Sequence, residues 1–306
     1  TYPWKLDREH PFTITCPEGG ETYPSNDFAA YYASNFTDHT LLTGQYVDPG
    51  RGWLAPDNEK RWMVGYAVHW NWRNTWIPAV GTLAKAFALT GNTAYARKAI
   101  AMLDRIAELY PSMTHALQSR YGELQNGNYK GKLVNAIWET GILQDLAVAY
   151  DLVFPALVGA GALDLPWRAA PEVRKNIEAN LLEEGIDSVG TAEIRGNFGM
   201  HQNALVYSAV VRESVTQGNL LQQLFSATGG AQADEGLDYA FHNFVRKDGI
   251  AYENGLGYSF LWVDSFAEMA RPLALAGRDL YDEEKFRAML RSPLALISLG
   301  GFSPNA

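Results

Sequence analysis

The chain has 306 residues, 47% of them hydrophobic, and carries 34 acidic against 25 basic side chains for a net charge of −9. A chain this long buries a core without help from disulfides or a structural metal, and its single cysteine, Cys16, excludes a disulfide framework and a Cys-rich zinc site. The acidity excludes the broad cationic surface that nucleic acid or an anionic membrane requires, so an acidic ligand needs a local basic patch.

Residues 1–60 are rich in Pro, Gly, Asp and Tyr, with turn chemistry in "CPEGGETYPSND" and "YVDPGRGW", and are expected to form an irregular N-terminal arm. From residue 61 the pattern turns helical. Val80, Leu83, Phe87 and Leu89 lead to a Gly-Asn break, and Ala96, Ile100, Leu103 and Ile106 follow it at helical spacing, which predicts a helical hairpin. Ile137, Leu143, Leu146 and Val153 predict a buried stripe that stops at Phe154-Pro155. Pro171 suits a first helical turn. Further helices are predicted over 198–213, 219–228, 233–246, 259–276 and 282–291. No apolar run approaches the roughly 20 residues of a membrane helix, and without a charged, apolar leader the sequence is expected to be a mature or trimmed soluble chain. The fold class is mainly α, built of hairpins that close into an α/α toroid over 61–306 or stack as an open solenoid.

"RGNFGMHQNALV" places Asn197 and His201 four residues apart, on one face if the segment is helical. Such a pair suits proton abstraction beside a carboxylate: the amide donates to the carboxylate and the imidazole takes the proton on its α-carbon. The same residues equally suit a helix cap and a hydrogen-bonded core histidine. In "KDGIAYENGLGYSFLW", Gly255 and Gly257 shape a loop that delivers Tyr258 to a helix entrance, where a phenol can donate or accept a proton. Packing for the following helix is the competing reading, and Tyr252 is a second candidate for the role. "HWNWRNTW" gathers His69, Trp70, Trp72, Arg73 and Trp76, which suits a sugar platform with a guanidinium for an acidic group and equally suits a Trp-packed helix entrance. Arg51, Arg61 and Arg195 are further sources of local positive charge. Aromatics form 12% of the chain, with 9 Trp and 16 Tyr, a composition fit for stacking on sugar rings. The six histidines offer no short-spaced metal pair, so no metal and no cofactor are expected. A glycoside hydrolase would need two cleft carboxylates, for which Glu139, Asp151 and Glu253 are the candidates.

Together "CPEGGETYPSNDF", "LAKAFALTGNTAYARKAIAMLDRIA", "AVAYDLV", "GNFGMHQNALV" and "DGIAYENGLGYSF" resemble the helical domain of the heparinase II/III-like polysaccharide lyases, a group that includes alginate and oligoalginate lyases. The resemblance implies an incomplete α/α toroid followed by a β-sandwich, expected beyond these 306 residues, that carries further site residues and in some members a structural zinc. It implies β-elimination on an acidic polysaccharide or oligosaccharide in the periplasm or outside the cell. Asn197 is then the carboxylate neutraliser, His201 the base or co-neutraliser, and Tyr258 the acid or both acid and base. His69, Trp70, Trp72, Arg73, Arg195, Tyr252 and Glu253 are expected to bind the sugar. Several members place the Asn and His adjacent, whereas here Phe198 follows Asn197. The alternatives are a hydrolase on a related toroid and a non-catalytic carbohydrate-binding toroid.

Overall fold

The computed structural model describes residues 7, 9–10, 12–50, 52–62, 69, 71–118, 130–212, 215–226, 236–253 and 255–295, which are mainly α-helical. The expected irregular arm contains small regular pieces. Strands β1 (Ile14–Thr15) and β2 (Thr22–Tyr23) pair antiparallel, helix α1 spans Phe28–Ala33, and β3 (Trp53–Leu54) pairs antiparallel with β4 (Lys60–Arg61). Two-residue strands are too short to show alternation, which is why the pattern hid them. The two ladders are joined by rings: Tyr46 lies edge-on to Tyr23 at 4.7 Å and to Trp53 at 4.9 Å.

Helix α2 (Ile77–Thr90) and helix α3 (Thr93–Leu109) form the predicted hairpin. Gly91, at φ +68°, ends the first, and the Asn92 side chain caps the second by accepting from the Ala94 amide at 3.0 Å. Ala96, Ala99, Ile100, Leu103 and Ile106 are buried along one face of α3, and Ile77, Val80 and Ala84 meet them from α2. Leu89 is a correction. It is 86% exposed, because two residues past Phe87 the helix has turned to its solvent face.

Helix α4 (Ala136–Val153) ends at Phe154-Pro155 as expected, and its Leu143, Leu146 and Val153 are fully buried. Ile137 is not in that stripe; it is 42% exposed at the helix entrance. The 22 residues Ala136–Leu157 are long and apolar enough, at a mean hydropathy of 1.2, to cross a membrane by length and composition, contrary to the expectation that none would be. Burial of α4 among other helices accounts for the same composition.

Helix α5 (Ala170–Ile177), with Pro171 in its first turn, continues through a π-helical stretch Glu178–Glu183 into α6 (Glu184–Gly190). Asp104 of α3, almost fully buried, ties this outer segment down by accepting from the Trp167 indole at 2.9 Å and the Asn176 amide at 2.8 Å. Then follow α7 (Met200–Arg212), α8 (Val215–Ser226), α9 (Leu237–Asn243), α10 (Leu256–Leu275) and α11 (Glu284–Ala295). Each matches a predicted helix with shifted ends.

Helices α2, α4, α7 and α10 touch in chain order, and the helices between them pack along this row: α3 on α2 and α4, α6 on α7, α8 on α7, and α11 on α10. Two apolar cores result. One joins α2 through α6 and includes Ala204; the other joins α8 through α11 and includes Phe198 and Val206. Helix α7 is therefore the shared wall, and the turn that opens it sits where the cores meet. Gly199 in that turn has φ +95°, and a Cβ there would lie 2.8 Å from the Ser265 Cβ on α10. Gly199→Ala is expected to cost about 1–3 kcal/mol through backbone strain and overlap, read as a lower urea midpoint. Ser265→Gly in the same chain should recover the steric share alone; an unchanged midpoint in Gly199→Ala would contradict this packing.

Candidate functional site

The entrances of α2, α4, α7 and α10 are linked by direct contacts. The Arg73 guanidinium, in the π-helical stretch Trp72–Trp76 ahead of α2, lies 4.6 Å over the Trp138 ring in the first turn of α4. The Arg195 amide donates to the Ala136 carbonyl at 3.1 Å, joining the turn before α7 to the start of α4. On the other side the Phe198 ring stacks 4.4 Å from Trp262 of α10. The sequence segments singled out for chemistry thus meet along one line of helix ends.

The turn 195–199 departs from the expected helix face. Helix α7 starts at Met200, so Asn197 and His201 are not an i, i+4 helical pair; Gly199, left-handed, breaks the helix between them. The cap comes from elsewhere. The Gln202 side chain accepts from the Gly199 amide at 2.7 Å, the backward reach of a capping box. The Asn197 carbonyl accepts from the Met200 amide at 3.0 Å, while its half-buried side-chain amide makes no hydrogen bond among the described residues. His201 is 7% exposed, and its Nδ1–H donates to the Gly196 carbonyl at 3.1 Å. A carbonyl only accepts, so Nδ1 carries a proton in this bond.

Opposite, an isolated bridge between Val245 and Ala251 turns the chain back toward α10. The Ser259 hydroxyl accepts from the Ala251 amide at 3.0 Å, and the Glu253 carboxylate accepts from the Trp262 indole at 2.9 Å. Glu253 is therefore an anchor of the loop. Tyr252 is 64% exposed, and Tyr258, third residue of α10, is 50% exposed. Tyr258 and Trp262 are one turn apart on the same face of α10. Trp262 in turn stacks on Phe198, the neighbour of Asn197.

No protein-family model matches the chain. No curated protein matches it either, so the site's chemistry rests on its own residues. Its rim is aromatic. Trp72 and Trp76 are in contact at 5.9 Å, with Trp72 partly buried against the first core and Trp76 45% exposed. Trp138, 49% exposed beneath Arg73, is a rim residue that the sequence reading passed over. Its signal was present: a bulky aromatic just after the Asn135 cap, ahead of the buried stripe. His69 does not join the rim. It is buried with its ring 4.6 Å from that of His115, which burial pulls down to a pKa of about 4 and so keeps neutral near neutral pH. Trp70 and Arg51 lie outside the described residues, and Arg61 pairs with Asp57 at 2.7 Å. Among the described residues no group of three His, Cys, Asp or Glu is placed to hold a metal.

Beneath Trp138 lies a buried acid. Glu139 is fully enclosed and accepts from the Tyr110 hydroxyl at 2.9 Å and the Val134 amide at 2.8 Å. Lys132 lies over the Tyr110 ring and pairs with Glu184 at 2.6 Å, so this network ties the loop before α4 to α6. Burial pushes Glu139 up from 4.5 to about 7, against the hydrogen bonds that favour its ionised form, and raises Tyr110 well above its ordinary value. The folded state thus holds a proton that the unfolded chain releases: stability from this site is full below about 4.5 and is lost as the pH rises to 7. Glu139→Gln, which cannot ionise, is expected to cost about 2–3 kcal/mol more at pH 5 than at pH 8 in urea unfolding. An equal cost at both would contradict the raised acid.

Proposed function

We propose that the protein is a polysaccharide lyase that cleaves a uronic-acid-containing chain by β-elimination, on an incomplete α/α toroid. The row α2, α4, α7 and α10, with intervening helices packed along it, supports that architecture. The observation that carries the chemistry is the turn before α7: Gln202 supplies the helix cap, Phe198 anchors the turn on Trp262 one helical turn from a half-exposed Tyr258, and the Asn197 side-chain amide makes no hydrogen bond among the described residues.

In the reaction, the Asn197 amide donates to the uronate carboxylate and stabilises the charge that grows there as the C5 proton leaves. Tyr258, as phenolate, takes that proton; the C5 electron pair forms the C4–C5 double bond as the C4–oxygen bond breaks. Tyr258 then returns the proton to the departing oxygen, so the proton balance closes with no cofactor. His201 acts as a positioning residue, since its Nδ1–H holds the Gly196 carbonyl directly before Asn197. Arg73 and Arg195 supply positive charge beside the exposed Trp76 and Trp138, which give faces for sugar rings.

A hydrolase fits these residues less well. Glu139 is sealed in the core, Glu253 is held by the Trp262 indole, and Asp151 lies near the far end of α4, about 20 Å from the entrance at 1.5 Å per residue.

The test is ultraviolet absorbance of unsaturated uronate ends released from alginate and glycosaminoglycan polymers. Tyr258→Phe is expected to lower turnover about 10²–10⁴-fold and Asn197→Ala about 10²–10³-fold, with unchanged melting temperatures. A protein that produces no unsaturated ends from any uronate polymer, or variants that keep full turnover, would overturn the proposal.

A further inference from the structure

The turn that leads to Tyr252 has a second side. At its tip Gly249, with φ +86°, lies so close to α11 that a Cβ would come 2.2 Å from the Ala288 carbonyl oxygen. Only a residue without a side chain lets the turn and the helix approach this closely. Beside that contact is a pocket of about 480 Å³, lined by Lys247 and Asp248 from the turn and by Glu284, Arg287 and Arg291 from α11.

Its charge is unbalanced in a chain that is acidic as a whole. Three cations face two carboxylates, and none of the three forms an ion pair among the described residues. The Asp248 carboxylate is committed to its own turn, accepting from the Ile250 amide at 3.1 Å. Arg287 and Arg291 stand one helical turn apart on the same face of α11, and the Arg287 guanidinium is aimed by a bond to the Tyr281 carbonyl. Two guanidinium groups and an ammonium line one cavity with two carboxylates, which leaves a cationic excess of one, and Arg and Lys are the side chains that donate to tetrahedral oxyanions.

We propose that this pocket binds an oxyanion of the sulfate or phosphate class. Its position deepens the lyase reading, on which this second step rests: the same turn carries Glu253, bonded to Trp262 of α10, and Lys247, which lines the pocket. A polysaccharide bearing sulfate esters would then be held by its uronate at Asn197 and by a pendant sulfate here. A free inorganic anion carries the same chemistry and is the other source.

The experiment titrates inorganic sulfate, with ionic strength held constant by sodium chloride, into the wild-type protein and a Lys247→Ala/Arg291→Ala variant. Both positions are exposed and form no ion pair among the described residues, so the variant should fold, which its unfolding curve checks. Calorimetry is expected to show sulfate binding that falls about tenfold or more in the variant. Equal sulfate affinity in the two proteins, or none in either, overturns the site whatever the lyase assay gives. Sulfated and unsulfated uronate oligosaccharides of equal length, bound to the Tyr258→Phe protein, separate the sources. If the variant weakens only the sulfated one, the occupant is a pendant ester; if it weakens neither while sulfate binding is lost, the occupant is a free anion. The sulfate titration does not depend on lyase activity, and the release of unsaturated ends from a uronate polymer is measured separately, so failure of the pocket and failure of the lyase reading are separately visible.

Discussion

The stack of Phe198 on Trp262 is the contact on which the site depends. Neighbouring residues of the turn have different fates: Phe198 is driven into the second core, 4.4 Å from Trp262 and 6.1 Å from Phe266, and Asn197 is left half-buried beside it. Burying a phenylalanine is worth about 1.5–3 kcal/mol, with about 0.5–1.5 more for each well-placed aromatic pair. That exceeds the cost of the left-handed Gly199, which is small because glycine pays no steric penalty at positive φ. The position of Asn197 is thus fixed by hydrophobic burial one residue away, and its amide needs no bond of its own to stay in place.

The same logic extends to the other helix entrances. Helix α7 separates the two apolar cores, with Ala204 in one and Val206 in the other, so any shift of its first turn is resisted from both sides. Buried polar groups then set the turns that apolar packing leaves free. Glu139 gathers Tyr110 and the Val134 amide under α4, His201 holds the Gly196 carbonyl under α7, and Glu253 holds Trp262 under α10. Each is an enclosed or half-enclosed side chain whose hydrogen bonds fix a loop, so the exposed groups of the rim, Trp76, Trp138 and Tyr258, rise from a rigid base.

Much of the helical pattern was legible because burial repeats with the helix. Ile100, Leu103 and Ile106, or Leu143, Leu146 and Val153, can be read as one face from spacing alone. Leu89 and Ile137 were misread because an apolar residue near a helix end has no obligation to face the core. The relation between Asn197 and His201 was misread for a backbone reason: spacing assumes a continuous helix, and a left-handed glycine between the two residues breaks that assumption. Trp138 was missed because it belongs to a strongly apolar helix, where a half-exposed aromatic looks like one more core residue. The buried placement of His69 depends on His115, 46 residues later, and no local pattern encodes such a pairing.

If Asn197 and Tyr258 act on one uronate ring as proposed, the carbon–oxygen bond breaks without water. Digestion of a defined oligouronate in ¹⁸O-labelled water, followed by mass spectrometry of the fragments, tests this directly. Elimination adds no water: the fragment masses sum to that of the substrate and no label enters at cleavage, once slow exchange at reducing ends is subtracted. Fragments that together exceed the substrate by one labelled water would identify hydrolysis and contradict the account.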